Sequence, residues 1–296
     1  MKDKKILYAD LSLFIVAIIW GSGFIFTKNA LDHMTPFYIL GFRFLVASIA
    51  MGIIAFKRIK NTKWIDIKAG LIVGFFMFLG FAFQTVGLQY TTVGVQAFIT
   101  ASNVVMVPFF YWMLTKSRPG PYEFFGAILC FIGIGILSLD TNLQVGYGEF
   151  LTFLCAIGFA LQIVAVGFFA KDVDSYVLSF VQLVIAMVLS FALAIPFEPR
   201  ITQISSEALV PILYLAIFST MIAFLTQNIA QKHTTSTHAA IILSLESVFG
   251  SIMGILIFSE EVSGKFIIGC MAIFISVLAA ETKFSFLKPK KRALKE

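Results

Sequence analysis

Charge is what this chain has least of: 13% of its 296 residues are Asp, Glu, Lys or Arg, where soluble domains carry about 25%. Hydrophobic residues make up 59% and the mean hydropathy is +0.94. The linkers between apolar segments are polar but short, leaving no stretch that could bury a soluble core, which excludes an extramembrane catalytic domain or a large receptor domain. Histidine is scarce as well, and His33, His233 and His238 form no ligand set, so neither a metal nor any other cofactor is expected. Only one carboxylate lies deep in an apolar segment, which disfavours a membrane-embedded enzyme built on paired acids or a Ser/His arrangement. No G-x-x-x-x-G-K-[ST] loop occurs, which argues against ATP-driven pumping. The three cysteines, Cys130, Cys155 and Cys270, sit inside apolar segments without motif spacing and read as small buried hydrophobes, with no disulfide expected.

The apolar residues that are present fall into ten segments: 11–29, 36–56, 68–88, 93–115, 122–139, 148–170, 175–196, 208–230, 236–258 and 264–281. Each has the length that crosses a hydrocarbon core of about 30 Å at about 1.5 Å per helical residue. The expected class is an all-α integral membrane protein whose solvent is the lipid bilayer. The first segment follows Lys2, Lys4 and Lys5 but has no A-x-A-like cleavage site and precedes nine further spans, so it reads as a mature helix rather than a signal peptide.

Ten spans put both termini on one side. That side then collects 18 of the 22 basic residues, while the other receives only Lys28, Arg200 and Lys265. By the positive-inside rule the termini are cytoplasmic, in a bacterial-type inner membrane. The net charge of +6 is explained by insertion and by anionic lipid, not by a nucleic-acid partner.

Sliding the chain against itself by 143 residues places Gln84 on Gln227, Thr91-Thr92 on Thr234-Thr235, Ala97 on Ala240, Val105 on Val248 and Gly126 on Gly269. The chain reads as two repeats, 1–140 and 141–296, the second ending in a basic tail. Five spans per repeat is an odd number, so the two must enter the membrane in opposite directions. Inverted repeats around a central cavity are an architecture of secondary transporters.

Several residues stand out. Glu246 is ten residues into the ninth span and so about 15 Å deep, where a carboxylate needs protein or water around it. Arg43, about 10 Å deep in the second span, is the candidate partner for a structural ion pair; a substrate or proton site is the other reading of Glu246. Gln84, Gln227 and Asn103 are neutral polar residues in spans, suited either to a translocation path or to interhelical hydrogen bonds. Trp20 with Gly21, Ser22 and Gly23 falls midway along the first span, as packing surface or cavity lining. His238 sits near the cytoplasmic end of the ninth span, where it is interfacial or pH-sensing. Gly250 and Gly254 form a small-xxx-small packing step.

Trp20-Gly21-Ser22-Gly23-Phe24, Pro36-Phe37 with Arg43-Phe44, Thr91-Thr92 through Ala97-Phe98-Ile99-Thr100 to Val104-Val105-Met106-Val107-Pro108, and Thr234-Thr235 through Leu243-Ser244-Leu245-Glu246 to Glu260-Glu261 together resemble the drug/metabolite transporter superfamily, in its ten-helix EamA-type branch. Relatives usually carry proline directly after the glutamate of the ninth span. Here that position is Ser247, its counterpart is Val104, and Pro108 is the residue left to kink the fourth span. The resemblance implies a secondary transporter, an exporter or exchanger of small metabolites such as amino acids, working by alternating access. A drug-efflux carrier of the same fold is the alternative, and a channel or solute receptor is the rival from another class. Nothing in the residues specifies an oligomeric state.

Overall fold

A computed structural model describes residues 2–139, 144–201 and 205–282; the basic tail from Lys283 lies outside the described residues. Among the described residues the chain forms ten long helical elements: α1 (Lys2–Leu31), α2 (Pro36–Ile59), α3 (Trp64–Gly87), α4 (Val93–Ala101 and Asn103–Thr115), α5 (Pro121–Ser138), α6 (Tyr147–Phe169), α7 (Ser175–Phe197), α8 (Ser206–Ala230), α9 (Ser236–Ser244 and Glu246–Phe258) and α10 (Gly264–Thr282). Among the described residues, nine are long and apolar enough to cross a bilayer by length and composition, and the apolar part of α10 is slightly shorter. The first helix starts earlier than the sequence predicts, running back through the N-terminal lysines.

Local chemistry starts these helices. Pro36 and Pro121 open α2 and α5, where the missing N–H has no helical partner to lose. The matched threonines are N-caps: Thr92 Oγ1 accepts from Val95 N (3.3 Å) and Thr235 Oγ1 from His238 N (3.1 Å). The Asp174 carboxylate caps α7 through Tyr176 N (2.8 Å) and Val177 N (3.4 Å).

Packing obeys the repeat. The principal interfaces are α1 with α8 and α9, α2 with α7 and α8, α3 with α6 and α7, α4 with α6 and α9, and α5 with α10. Exchanging each helix for the one five places along maps this set onto itself. At the α1–α9 crossing, a Cβ on Gly21 would lie 2.6 Å from Phe249 Cβ and 2.9 Å from Gly250 N, so only glycine permits the approach.

The interruptions in α4 and α9 also match. Ser102 and Leu245, 143 positions apart, share φ −61° and ψ −15° and end one helical segment before the next begins. Neither break falls at a proline: Pro108 lies inside the second segment of α4, Asn103–Thr115, six residues beyond Ser102. Serine hydroxyls sit at both breaks instead. Ser102 Oγ donates to Ile99 O (2.6 Å), Ser244 Oγ to Ile241 O (2.6 Å) and Ser247 Oγ to Ser244 O (2.7 Å), competing with the backbone ladder.

Candidate functional site

The residues that follow the two breaks line the same cavity. Asn103 and Glu246 occupy equivalent places in the two repeats, each about 7% exposed, and both line the cavity. A second matched pair, Phe81 and Phe224, forms part of its wall with Trp20 and Phe159, while Gly23, Thr27, Arg43, Gln84, Gln162 and Ser219 contribute its polar and small surfaces. The cavity measures about 40 Å³, room for about three waters.

Arg43 is held by α8. Its Nε donates to Thr220 Oγ1 (2.5 Å) and its Nη2 to Ser219 Oγ (3.2 Å) and Ser219 O (3.4 Å), while the guanidinium lies 4.2 Å over the Phe81 ring. A stretch of α8, Leu215–Ile222, is wound as a π-helix. Within that stretch the Ser219 carbonyl accepts from two side chains outside the helix, Arg43 Nη2 and Trp20 Nε1 (2.9 Å). The expected Arg43–Glu246 ion pair is therefore not made: both side chains reach the cavity, but Arg43 spends two of its nitrogens on α8. Among the described residues no protein donor or cation holds the Glu246 carboxylate, and Gln84 and Asn103 likewise present side-chain amides without a protein hydrogen bond.

The sequence matches the EamA-like transporter family twice, over residues 7–139 and 146–281. The chain belongs to that family. Among proteins similar to this EamA chain, a transporter of Archaeoglobus fulgidus described as uncharacterized is 34% identical over 93% of the chain and 86% of its own length. A WAT1-related chloroplastic protein of Arabidopsis thaliana is 23% identical over 87% of the chain and 66% of its own. A crystal structure superposes with a TM-score of 0.70, covering 94% of this chain and 99% of the other at 20% identity, a likeness of fold alone. This EamA chain is a multi-pass membrane transporter, not an enzyme.

Within the EamA fold, Trp20, Gly23, Arg43, Gln84, Asn103 and Glu246 come together at the cavity. Gln227 is fully buried beside it and exchanges amide hydrogen bonds of 3.4 and 3.5 Å with the cavity residue Gln162. Three others lie elsewhere. Ser22 shares a 2.5 Å hydrogen bond with the Tyr214 hydroxyl, His238 is exposed with Nε2 3.2 Å from Asp10 Oδ1, and Pro108 belongs to the second segment of α4, Asn103–Thr115. Gly254 makes room for the Glu260 carboxylate, which would lie 2.9 Å from an added Cβ, as Gly21 does for Phe249. Sequence reasoning passed over Phe81, Phe159, Gln162, Phe224 and Ser219. The offset of 143 marks Phe81 and Phe224 as a matched pair, whereas the π-segment that positions Ser219 has no signature in its apolar run.

Proposed function

We propose that this transporter carries amino acids or related zwitterionic metabolites through the central cavity by alternating access, as an exporter or exchanger. One observation carries the reading: a guanidinium and a carboxylate line the same cavity without pairing with each other. Among the described residues the Arg43 Nη1 makes no protein hydrogen bond and the Glu246 carboxylate has none, so a solute with a carboxylate and an ammonium satisfies both. The aromatic wall of Trp20, Phe81, Phe159 and Phe224 suits an apolar or aromatic substituent on that solute.

A cavity of about 40 Å³ does not hold an amino acid, so admission requires the repeats to part. Inverted five-helix repeats hinging at the breaks before Asn103 and Glu246 supply that motion. The termini lie in the cytoplasm of a bacterial-type inner membrane, in keeping with the distribution of lysine and arginine. The same carboxylate and aromatic wall also favour organic cations, the efflux reading.

Purified protein in liposomes, offered a panel of radiolabelled amino acids with and without a pH gradient, tests this. Saturable uptake of one amino-acid class is the expected result. Uptake of organic cations with no amino acid transported would replace the substrate assignment.

A further inference from the structure

A second cavity, of about 270 Å³, opens between α4, α5 and α6, and every side chain lining it is apolar. Val105, Phe109 and Phe110 of α4, Ala127 and Phe131 of α5, and Phe153 of α6 form its walls, with Phe131 57% exposed on the outer surface of the bundle. It is separate from the transport cavity, with which it shares no residue.

Its depth and its rim identify an occupant. Phe109 and Val105 precede the end of α4 at Thr115 by six and ten residues, about 9 and 15 Å at the helical rise. Ala127 and Phe131 follow Pro121, the start of α5, by the same six and ten. The crevice thus descends from just below one membrane surface to mid-bilayer, the range of a single leaflet's acyl chain. On that surface, at the α4–α5 turn, Lys116 and Arg118 are exposed and form no ion pair among the described residues. Lys116, at φ 58° in the left-handed region, closes α4, and Tyr111 and Trp112 are partly exposed one turn below it, at the level of the lipid headgroups. The acidic neighbour Glu123 turns back toward Gly120 at its own helix start.

The matching positions of the other repeat differ at both features. The positions matching Lys116 and Arg118 are Ser259 and Glu261, and Phe249, the counterpart of the crevice residue Met106, is packed against α1 by Gly21 and edge-on to Phe14 at 5.8 Å. The α4–α5–α6 crevice thus joins an apolar slot to a basic rim whose residues the other repeat does not repeat at the matching positions.

We infer that the α4–α5–α6 crevice binds one anionic phospholipid, its acyl chain along Phe109, Phe131 and Phe153 and its phosphate at Lys116 and Arg118. The site is independent of substrate and of which leaflet faces the cytoplasm. Native mass spectrometry of the purified full chain, titrated with phosphatidylglycerol or phosphatidylcholine, reads it directly. One phosphatidylglycerol is expected to be retained in preference to phosphatidylcholine. The surface double variant Lys116→Ala/Arg118→Ala should bind it roughly thirtyfold more weakly, as two basic contacts to an anionic headgroup imply. Ala127→Phe, which fills the slot and leaves the rim intact, should abolish retention of both lipids. Equal binding of the two lipids by the native chain, or undiminished phosphatidylglycerol binding in the double variant, would overturn the assignment.

Discussion

Glu246 and Arg43 are buried with different surroundings: Arg43 is solvated by hydroxyl and carbonyl dipoles of α8 and keeps its charge, whereas among the described residues no donor holds the Glu246 carboxylate, which faces the cavity. Replacing Glu246 by Gln keeps shape and removes charge, so it should cut transport about tenfold or more, the scale of one charge-assisted hydrogen bond, while abundance in the membrane stays within about twofold. Equal loss of both would make the residue structural. Outside the membrane, partial burial pushes the Asp174 carboxyl up, but the bond from Arg58 Nη1 (2.7 Å) and the amides of Tyr176 and Val177 outweigh it and hold the carboxyl below its ordinary range. A depressed carboxyl stabilises the fold above its unfolded value, about 3.9, and that contribution disappears as pH falls through the folded value. The melting temperature should therefore drop more for the native chain than for Asp174→Asn between about pH 5 and pH 3. At this scale the sequence exposed the deep charges but not their pairing. Residue count yields depth along a helix, and whether Arg43 meets Glu246 depends on rotation about the axis and on rival partners, here Ser219 and Thr220 of α8.

Helix ends and crossings were mostly legible, because threonine caps, N-terminal prolines and glycine steps act locally. The breaks in α4 and α9 were not: no proline marks them, and the serines that bond back to carbonyls there, 102, 244 and 247, do the same as serines inside unbroken helices such as Ser48 and Ser276. At the crossing of α1 and α9, Gly21→Val forces side-chain atoms into Phe249 and the Gly250 backbone, and overpacking of this kind costs about 1–3 kcal/mol. Its thermal midpoint in detergent should fall accordingly; an unchanged midpoint would mean that the helices separate freely there. A second element-scale contact is the Glu260 carboxylate, which accepts from Val93 N (2.6 Å) and Gly94 N (2.9 Å) and ties the end of α9 to the start of α4. Glu260→Ala strips buried amides of their acceptor, a loss of about 1–3 kcal/mol, and should show as faster hydrogen exchange at the first turn of α4.

For the whole molecule, the repeat was visible in the sequence as a single offset, and the helix contacts carry the same exchange from α1–α9 to α6–α4 and from α3–α7 to α8–α2. Hidden from the sequence was how tightly the centre closes, since a cavity of about 40 Å³ depends on the rotation of every surrounding helix. The proposed orientation predicts that single cysteines placed at Lys60 and Lys232 react with an impermeant thiol reagent only from the cytoplasmic face, and one at Arg200 only from the other. The central claim, that a solute passes through the Arg43–Glu246 cavity by alternating access, is tested most directly by counterflow. Liposomes preloaded with an excess of unlabelled amino acid should transiently accumulate the labelled one through the native chain, and Glu246→Gln should lose that overshoot. Label that merely equilibrates, with no overshoot and no saturation, would contradict the account and indicate a pore.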